Sequence, residues 1–363
     1  MLTAFLVIAI LVLLIVAHEL GHFFVAKIFR VRVEEFGVGY PPRAITFGKI
    51  GETEYTLNWI PFGGFVRLFG DIGEEQHGRG SFVDAHRGVQ AAILFAGVAA
   101  NVIAAWVLFA VALHIGVPQI VDAPLLNQPA RLIVVNIIPA SPADAAGIQP
   151  GDEIIDITAH TGEKLKTLLP STVVDFVKIR GGKSISVSYI HAGVTQSASI
   201  IPANAVLPNA GGQPALGIAL ALVANKSLPW NEAVVAAFRE TQSAFKTVAA
   251  GLWGLVQSAS RGALDISQIV GPVGIVSYVG QASQNGFGTV LILAAMISVN
   301  LAIINLIPIP ALDGGRLAIL IVEGILRRNA SRLALQILNA LGIALVITLM
   351  FVVTYNDIVR LAS

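Results

Sequence analysis

The chain has 363 residues, 55% of them hydrophobic and only 12% charged, about half the charged fraction of an ordinary soluble domain, and its mean hydropathy is +0.77. Its 35 Gly and 17 Pro are scattered without period among abundant apolar residues, which excludes collagen-like and disordered classes. Lys+Arg (23) and Asp+Glu (22) leave a net charge of +1, so no bulk basic field attracts nucleic acid, and the absence of cysteine excludes disulfides, thiolate metal sites and a cysteine nucleophile. Any metal must be held by His, Asp, Glu or backbone.

A bilayer core of about 30 Å calls for about 20 apolar helical residues. The first such run covers 2–26 and is broken only by His18, Glu19 and His22; it has no basic n-region and no small-residue cleavage site, so residues 1–27 are expected as a retained span rather than a signal peptide. Residues 28–88 hold β-forming segments at 43–47, 53–60 and 64–69 between Gly and Pro, and read as a small membrane-associated sheet or hairpin. The second span, 89–117, carries Asn101 and His114. Residues 120–225 alternate short strands (132–138, 152–157, 184–190, 197–201) with turns and one helix over 165–179, the pattern of an inserted α+β domain of about 100 residues.

Residues 228–285 contain an amphipathic stretch, 230–258, whose Val234, Val235, Phe238, Phe245, Val248, Leu252 and Leu255 recur at near-helical spacing while Glu232, Arg239, Glu240 and Lys246 keep it from reading as a span; an interfacial helix is expected. The third span is expected within 286–316, and 317–363 supplies a short loop, the fourth span and a tail. The fold class is thus a polytopic α-helical membrane protein with about four transmembrane helices, a small membrane-associated β region and one inserted α+β domain. Lys27, Arg30, Arg32, Arg43, Lys49, Arg67, Arg79 and Arg87 in the first loop, and Arg316, Arg327, Arg328 and Arg332 after the third span, place both loops in the cytoplasm and 120–285 outside.

His18-Glu19-Leu20-Gly21-His22 fits H-E-x-x-H, in which two imidazoles on one helix face share a Zn²⁺ and the Glu takes a proton from a metal-bound water. Ionisable groups inside an apolar span are functional by default; the plainer alternative is a polar cluster hydrogen-bonded within a bundle. A third ligand is needed. Asp313, in Asn305-Leu-Ile-Pro-Ile-Pro-Ala-Leu-Asp313-Gly-Gly, is the better candidate than His77, His86, His114, His160 or His191, although it also fits the cap of a following helix. At 1.5 Å per residue, His18 and Asp313 lie roughly 24 and 33 Å along segments entering from outside, both in the cytoplasmic half.

On HELGH in the first span, GVAAN at 97–101, GPVGI at 271–275, NLIPIPALDGG at 305–315 and a single inserted domain, the chain resembles the site-2 protease family of intramembrane zinc metalloproteases, most closely the bacterial regulator-of-sigma-E type. The resemblance covers nearly the whole chain. It implies one zinc per chain on His18, His22 and Asp313, with Glu19 as general base. The inserted domain resembles a PDZ module: 137–157 looks like its strand, helix and turn, and Leu216-Gly217-Ile218 like the carboxylate-binding loop. Such a module either pairs with an extended peptide or acts as a steric filter.

The resemblance further implies a multi-pass protein of a bacterial inner (plasma) membrane, with the PDZ-like domain extracytoplasmic, acting in regulated intramembrane proteolysis. Its partners would be the lipid bilayer and single-span membrane proteins such as an anti-sigma factor after prior cleavage, and no nucleic acid. A transmembrane helix shields its own carbonyls, so substrate must be held extended. The β region at 43–69 is an edge suited to that, and Asn305 is placed to hydrogen-bond the exposed substrate backbone. A noncatalytic PDZ adaptor explains 130–220 but not the His, Glu and Asp together; a metal transporter explains intramembrane His and Asp but calls for neither the Glu nor a peptide-binding module.

Overall fold

The computed structural model describes residues 2–71, 76–123, 130–191, 193–204, 212–262, 271–328 and 330–362. They divide into two units, Met1–Ile115 with Leu228–Ser363, and Gly116–Ser227.

In the first unit the opening apolar run forms α1 (Leu2–Ile28). The chain then makes two long strands, β1 (Val33–Ile50) and β2 (Thr53–Leu68). Each is bent in two. Glu35 aligns with both Arg67 and Glu54, and Val38 with both Gly64 and Leu57, while 43–50 pairs only with 53–58. The result is a four-segment sheet in which 33–38 is flanked on both sides and the outer segments are 43–50 and 64–68.

At its centre Glu35 is 2% exposed and accepts from Thr56 Oγ1 (2.9 Å), Arg43 Nη2 (2.8 Å) and Arg67 Nη2. A carboxylate this deep persists only when paired, and here the two arginines come from the two outer segments. Val33 and Leu68 root the sheet in an apolar cluster with Ala26, Phe82, Ile93 and Leu320.

Helix α2 (Arg87–Ile115) crosses α1 where both are small: a Cβ on Gly21 would collide with the Ala96 carbonyl and lie 2.7 Å from Ala100 Cβ. Close backbone approach is what binds helices in lipid, where apolar burial offers little drive.

The second unit contains β3 (Val117–Ile120), β4 (Ala130–Ile137), α3 (Pro142–Ala145), β5 (Glu153–Ala159), α4 (Pro170–Lys178), β6 (Ile185–His191), β7 (Val194–Ile200) and β8 (Ile218–Lys226). Its sheet has the order β3-β8-β4-β5-β6-β7. Ile154, Ile157, Ile185, Val187 and Ile200 alternate inward to meet Val173, Phe176 and Val177 of α4. The helix expected at 165–179 is shorter because Pro170, at its first position, sets the start; Leu165 instead packs on the core.

Back in the first unit, α5 (Trp230–Ser260) follows. It is amphipathic, but its buried side is Ala233, Ala237, Thr241 and Ala244, while Val234, Val235 and Phe238 face outward. The apolar stripe that suggests the helix is therefore not the one that packs; the small residues pack because they let backbones meet. Next come α6 (Pro272–Gln284) and α7 (Phe287–Leu306). The stretch 286–316 is not one span: α7 stops at Leu306, Pro308 and Pro310 withhold the donors a helix needs, and Asp313 opens α8 (Asp313–Leu326), where a loop was expected. Helix α9 (Arg332–Ala362) ends the chain. Among the described residues α1, α2, α7 and α9 are the four helices long and apolar enough to cross a membrane.

Candidate active site

His18 and His22 are one turn apart in α1, so both imidazoles project from one side. Their Nε2 atoms are 3.1 Å apart. Asp313 Oδ2 lies 2.9 Å from Nε2 of His18 and 3.2 Å from Nε2 of His22. Four-coordinate zinc, with bonds of about 2.0–2.1 Å, separates its ligand atoms by roughly 3.3 Å, so the trio has the spacing of three corners of one tetrahedron.

Asp313 Oδ2 is buried and, although within reach of both rings, has no hydrogen bond of proper geometry. A buried acceptor facing two ring nitrogens is costly unless a proton or a cation sits among them. The donor set therefore fits a divalent metal, and its all-N/O composition suits zinc.

The distant ring nitrogens are also engaged. His22 Nδ1 lies 2.7 Å from the Ile93 carbonyl, which can only accept, so the His22 proton sits on Nδ1 and the Nε2 lone pair is left for a metal. His18 Nδ1 is 3.2 Å from the side-chain amide of the fully buried Asn101. Gly97, one turn before Asn101 on α2, leaves the space above the rings: a Cβ there would collide with His22 Nε2 and lie 2.6 Å from His18 Cε1.

Asp313 reaches the site through its loop. Glycines follow it because a Cβ on Gly314 would collide with the carbonyls of Leu306 and Ile307, and one on Gly315 with that of Ile309. Asp313 is thus the first residue of α8 but not its cap, since Leu312 holds the N-cap position and no side chain caps the helix; its carboxylate points at the histidines. Arg316, one turn on, pairs with Asp71 just beyond β2.

Glu19 occupies the flank of the same α1 face. The outer segment of the sheet runs against it: a Cβ on Gly64 would sit 3.2 Å from Glu19 Cγ. The acid lies between the two histidines and the outer strand segment 64–68, which is mostly buried or half-buried.

Asn305 lies in the last turn of α7, eight residues before Asp313, and is half-buried. Leu216, Gly217 and Ile218 belong to the other unit. There Leu216 is buried, Gly217 has φ +82°, and Ile218 opens β8; together with Val173, Val174 and Val177 of α4 and Leu220 they line an apolar groove. Among the other histidines, His77 pairs with Asp84, His86 Nδ1 accepts from the Gly88 N–H, His114 lies at the Leu228 carbonyl, and His191 pairs with Asp152. Sequence reasoning named all three residues of the candidate ligand group but missed the Ile93 carbonyl, which as a backbone group leaves no signature. It left Gly97 and Asn101 without roles, although GVAAN marked them.

Three ligand atoms at tetrahedral spacing, with an acid beside them in a bundle of membrane-length helices, define a multi-pass membrane metallopeptidase. The sequence matches Peptidase family M50 over residues 6–349, and the chain belongs to that family. A Clostridium perfringens protein provisionally named a zinc metalloprotease is 32% identical over 351 residues, 95% of this chain and 95% of its own. A similarly named protein of Agrobacterium fabrum is 30% identical over 374 residues, 97% of this chain and 94% of its own. Among solved structures, the PDZ domain of an SdrC-like protein from Listeria monocytogenes is similar at 20% identity and a TM-score of 0.22, over 27% of this chain and 93% of that one.

Proposed function

We propose that this chain is a site-2-type zinc protease of a bacterial inner (plasma) membrane that cuts peptide bonds within the transmembrane segments of single-span proteins. The observation that carries the reading is the meeting of His18, His22 and Asp313 at 2.9–3.2 Å, with Glu19 between them and the outer strand segment 64–68. His18, His22 and Asp313 would hold one zinc per chain. When bound, zinc supplies Lewis acidity and lowers the pKa of water toward about 7.

Glu19 takes the proton of the attacking water and passes it to the leaving amine. Gly64 packs against its side chain, so the carboxylate lies beside the sheet, where a substrate must lie. The 64–68 edge receives the unwound substrate as an added strand, satisfying backbone groups that lose their helical partners. Asn305 donates to a substrate carbonyl. The groove at Leu216, Gly217 and Ile218 takes the end of a previously trimmed substrate; its apolar lining favours this over a purely steric filter. With that groove extracytoplasmic, the cycle suits release of a membrane-held anti-sigma factor after a first cut outside.

Substrate trapping tests this. Glu19→Gln in native membranes should keep zinc, lose cleavage and accumulate single-span proteins. Undiminished cleavage by that variant, or wild-type protein purified without zinc, would sink the reading.

A further inference from the structure

Asn101 is 0% exposed, in the middle of α2, and its amide is 3.2 Å from His18 Nδ1. Its backbone carbonyl accepts from the equally buried Ser298 Oγ of α7 at 2.8 Å, which fixes the residue's place along the bundle. Its own Oδ1 is buried with no hydrogen-bond partner. A polar side chain so enclosed, with half its hydrogen-bonding capacity unused, is costly to keep, and leucine would fill nearly the same volume without that cost.

The zinc reading supplies the missing requirement, and the inference rests on that reading. A neutral imidazole that binds metal through Nε2 carries its proton on Nδ1 and needs an acceptor there. For His22 the Ile93 carbonyl is that acceptor. For His18 the group at Nδ1 is the Asn101 amide, whose oxygen and nitrogen ends have the same shape, so the pocket admits either orientation.

We infer that Asn101 is a positioning residue that presents Oδ1 to His18 Nδ1–H and so holds His18 in the tautomer whose Nε2 lone pair faces the metal. The amide's ability to turn matters: with the metal out, Nδ2–H can donate to a bare Nδ1 while His18 Nε2–H faces Asp313. A carboxylate or a carbonyl cannot make that exchange. The two histidines are thus held differently, His22 permanently and His18 adaptably.

Chelator competition on the purified full-length protein measures the effect. Asn101→Leu, which keeps volume and removes the acceptor, should weaken zinc about 10–100-fold. Asn101→Asp, which keeps an acceptor, should stay within about threefold of wild type. If Asn101 served only packing, Leu would bind zinc as wild type does, and that result overturns the proposal. Should Asn101→Leu fail to fold, ¹⁵N-histidine spectra of zinc-loaded wild type decide: a slowly exchanging Nδ1–H on His18 supports the proposal, and a proton on Nε2 overturns it. Failure of wild type to bind zinc at all would instead dispose of the metal reading and this inference together.

Discussion

Gly97 of α2 stands directly over His22 of α1, so near that a Cβ on it would collide with Nε2 and lie 2.7 Å from Cε1. The space is the ligands' own. Gly97→Ala therefore overpacks the ring pair without touching solvent or charge; overpacking costs about 1–3 kcal/mol, and displaced through the rings this should lower zinc affinity roughly ten- to a hundredfold. Zinc titration of the purified variant checks it. Gly254→Ala on α5, where a Cβ meets nothing, is the matched control and should bind zinc normally.

The second prediction concerns the inserted unit. Its flanks are tied within the membrane unit: Leu228 N–H donates to the Leu113 carbonyl at 2.9 Å, and His114 stacks on Trp230 with centroids 4.0 Å apart. Residues 116–227 should therefore be replaceable by a short Gly-Ser linker with zinc content unchanged. If the groove captures trimmed ends, that deletion and a bulky Gly217 variant should both slow cleavage of pre-trimmed substrate. If it filters, the deletion should speed cleavage of substrates with intact external domains and leave trimmed ones unaffected. Equal rates throughout would dismiss both roles.

The GPVGI segment has a structural partner in the last helix. Asp357, 1% exposed in α9, accepts from the backbone N–H of Gly271 at 3.1 Å and of Gly274 at 2.7 Å and so caps the start of α6. Asp357→Ala leaves buried donors unpaired, and thermal unfolding in detergent should show a loss of about 1–3 kcal/mol. Asp357→Asn, which keeps an acceptor, should lose less. An unchanged transition in the alanine variant would show that the cap is not needed.

Topology is testable because the native chain contains no cysteine. Arg79→Cys, in the exposed stretch after the sheet, should resist an impermeant thiol reagent in intact cells and react after permeabilisation. Thr195→Cys, exposed on β7, should react in intact cells. The reverse pattern would invert the proposed orientation.

Much of the site was legible because its signal is local. The i, i+4 histidines translate directly into one helix face, and the Pro and Gly residues around Asp313 announce a turn at a ligand. What sequence hid was non-local or apolar. The pairing of 33–38 with both 54–57 and 64–68 depends on how a hairpin bends, which alternation of residues does not record. Pro308 and Pro310 mark the break in the third span, but not that the stretch beyond it, to Leu326, folds as the helix α8 rather than a loop. On α5 the large apolar residues set the period, but Ala233, Ala237 and Ala244 make the contact. Asn101 stood out as a polar residue in a span, yet its partner lies 83 residues away.

The single carboxylate at the heart of the sheet fixes more than stability. Arg43 and Arg67, on opposite outer segments, share Glu35, so neither segment can slide without stranding a charge beneath the other. Gly64, on the same outer segment as Arg67, lies against Glu19. A strand that cannot shift is a ruler: on the proposed reading, a substrate pairing with it would be read in one register, and the bond presented to Glu19 would be chosen by counting residues along that edge rather than by their identity.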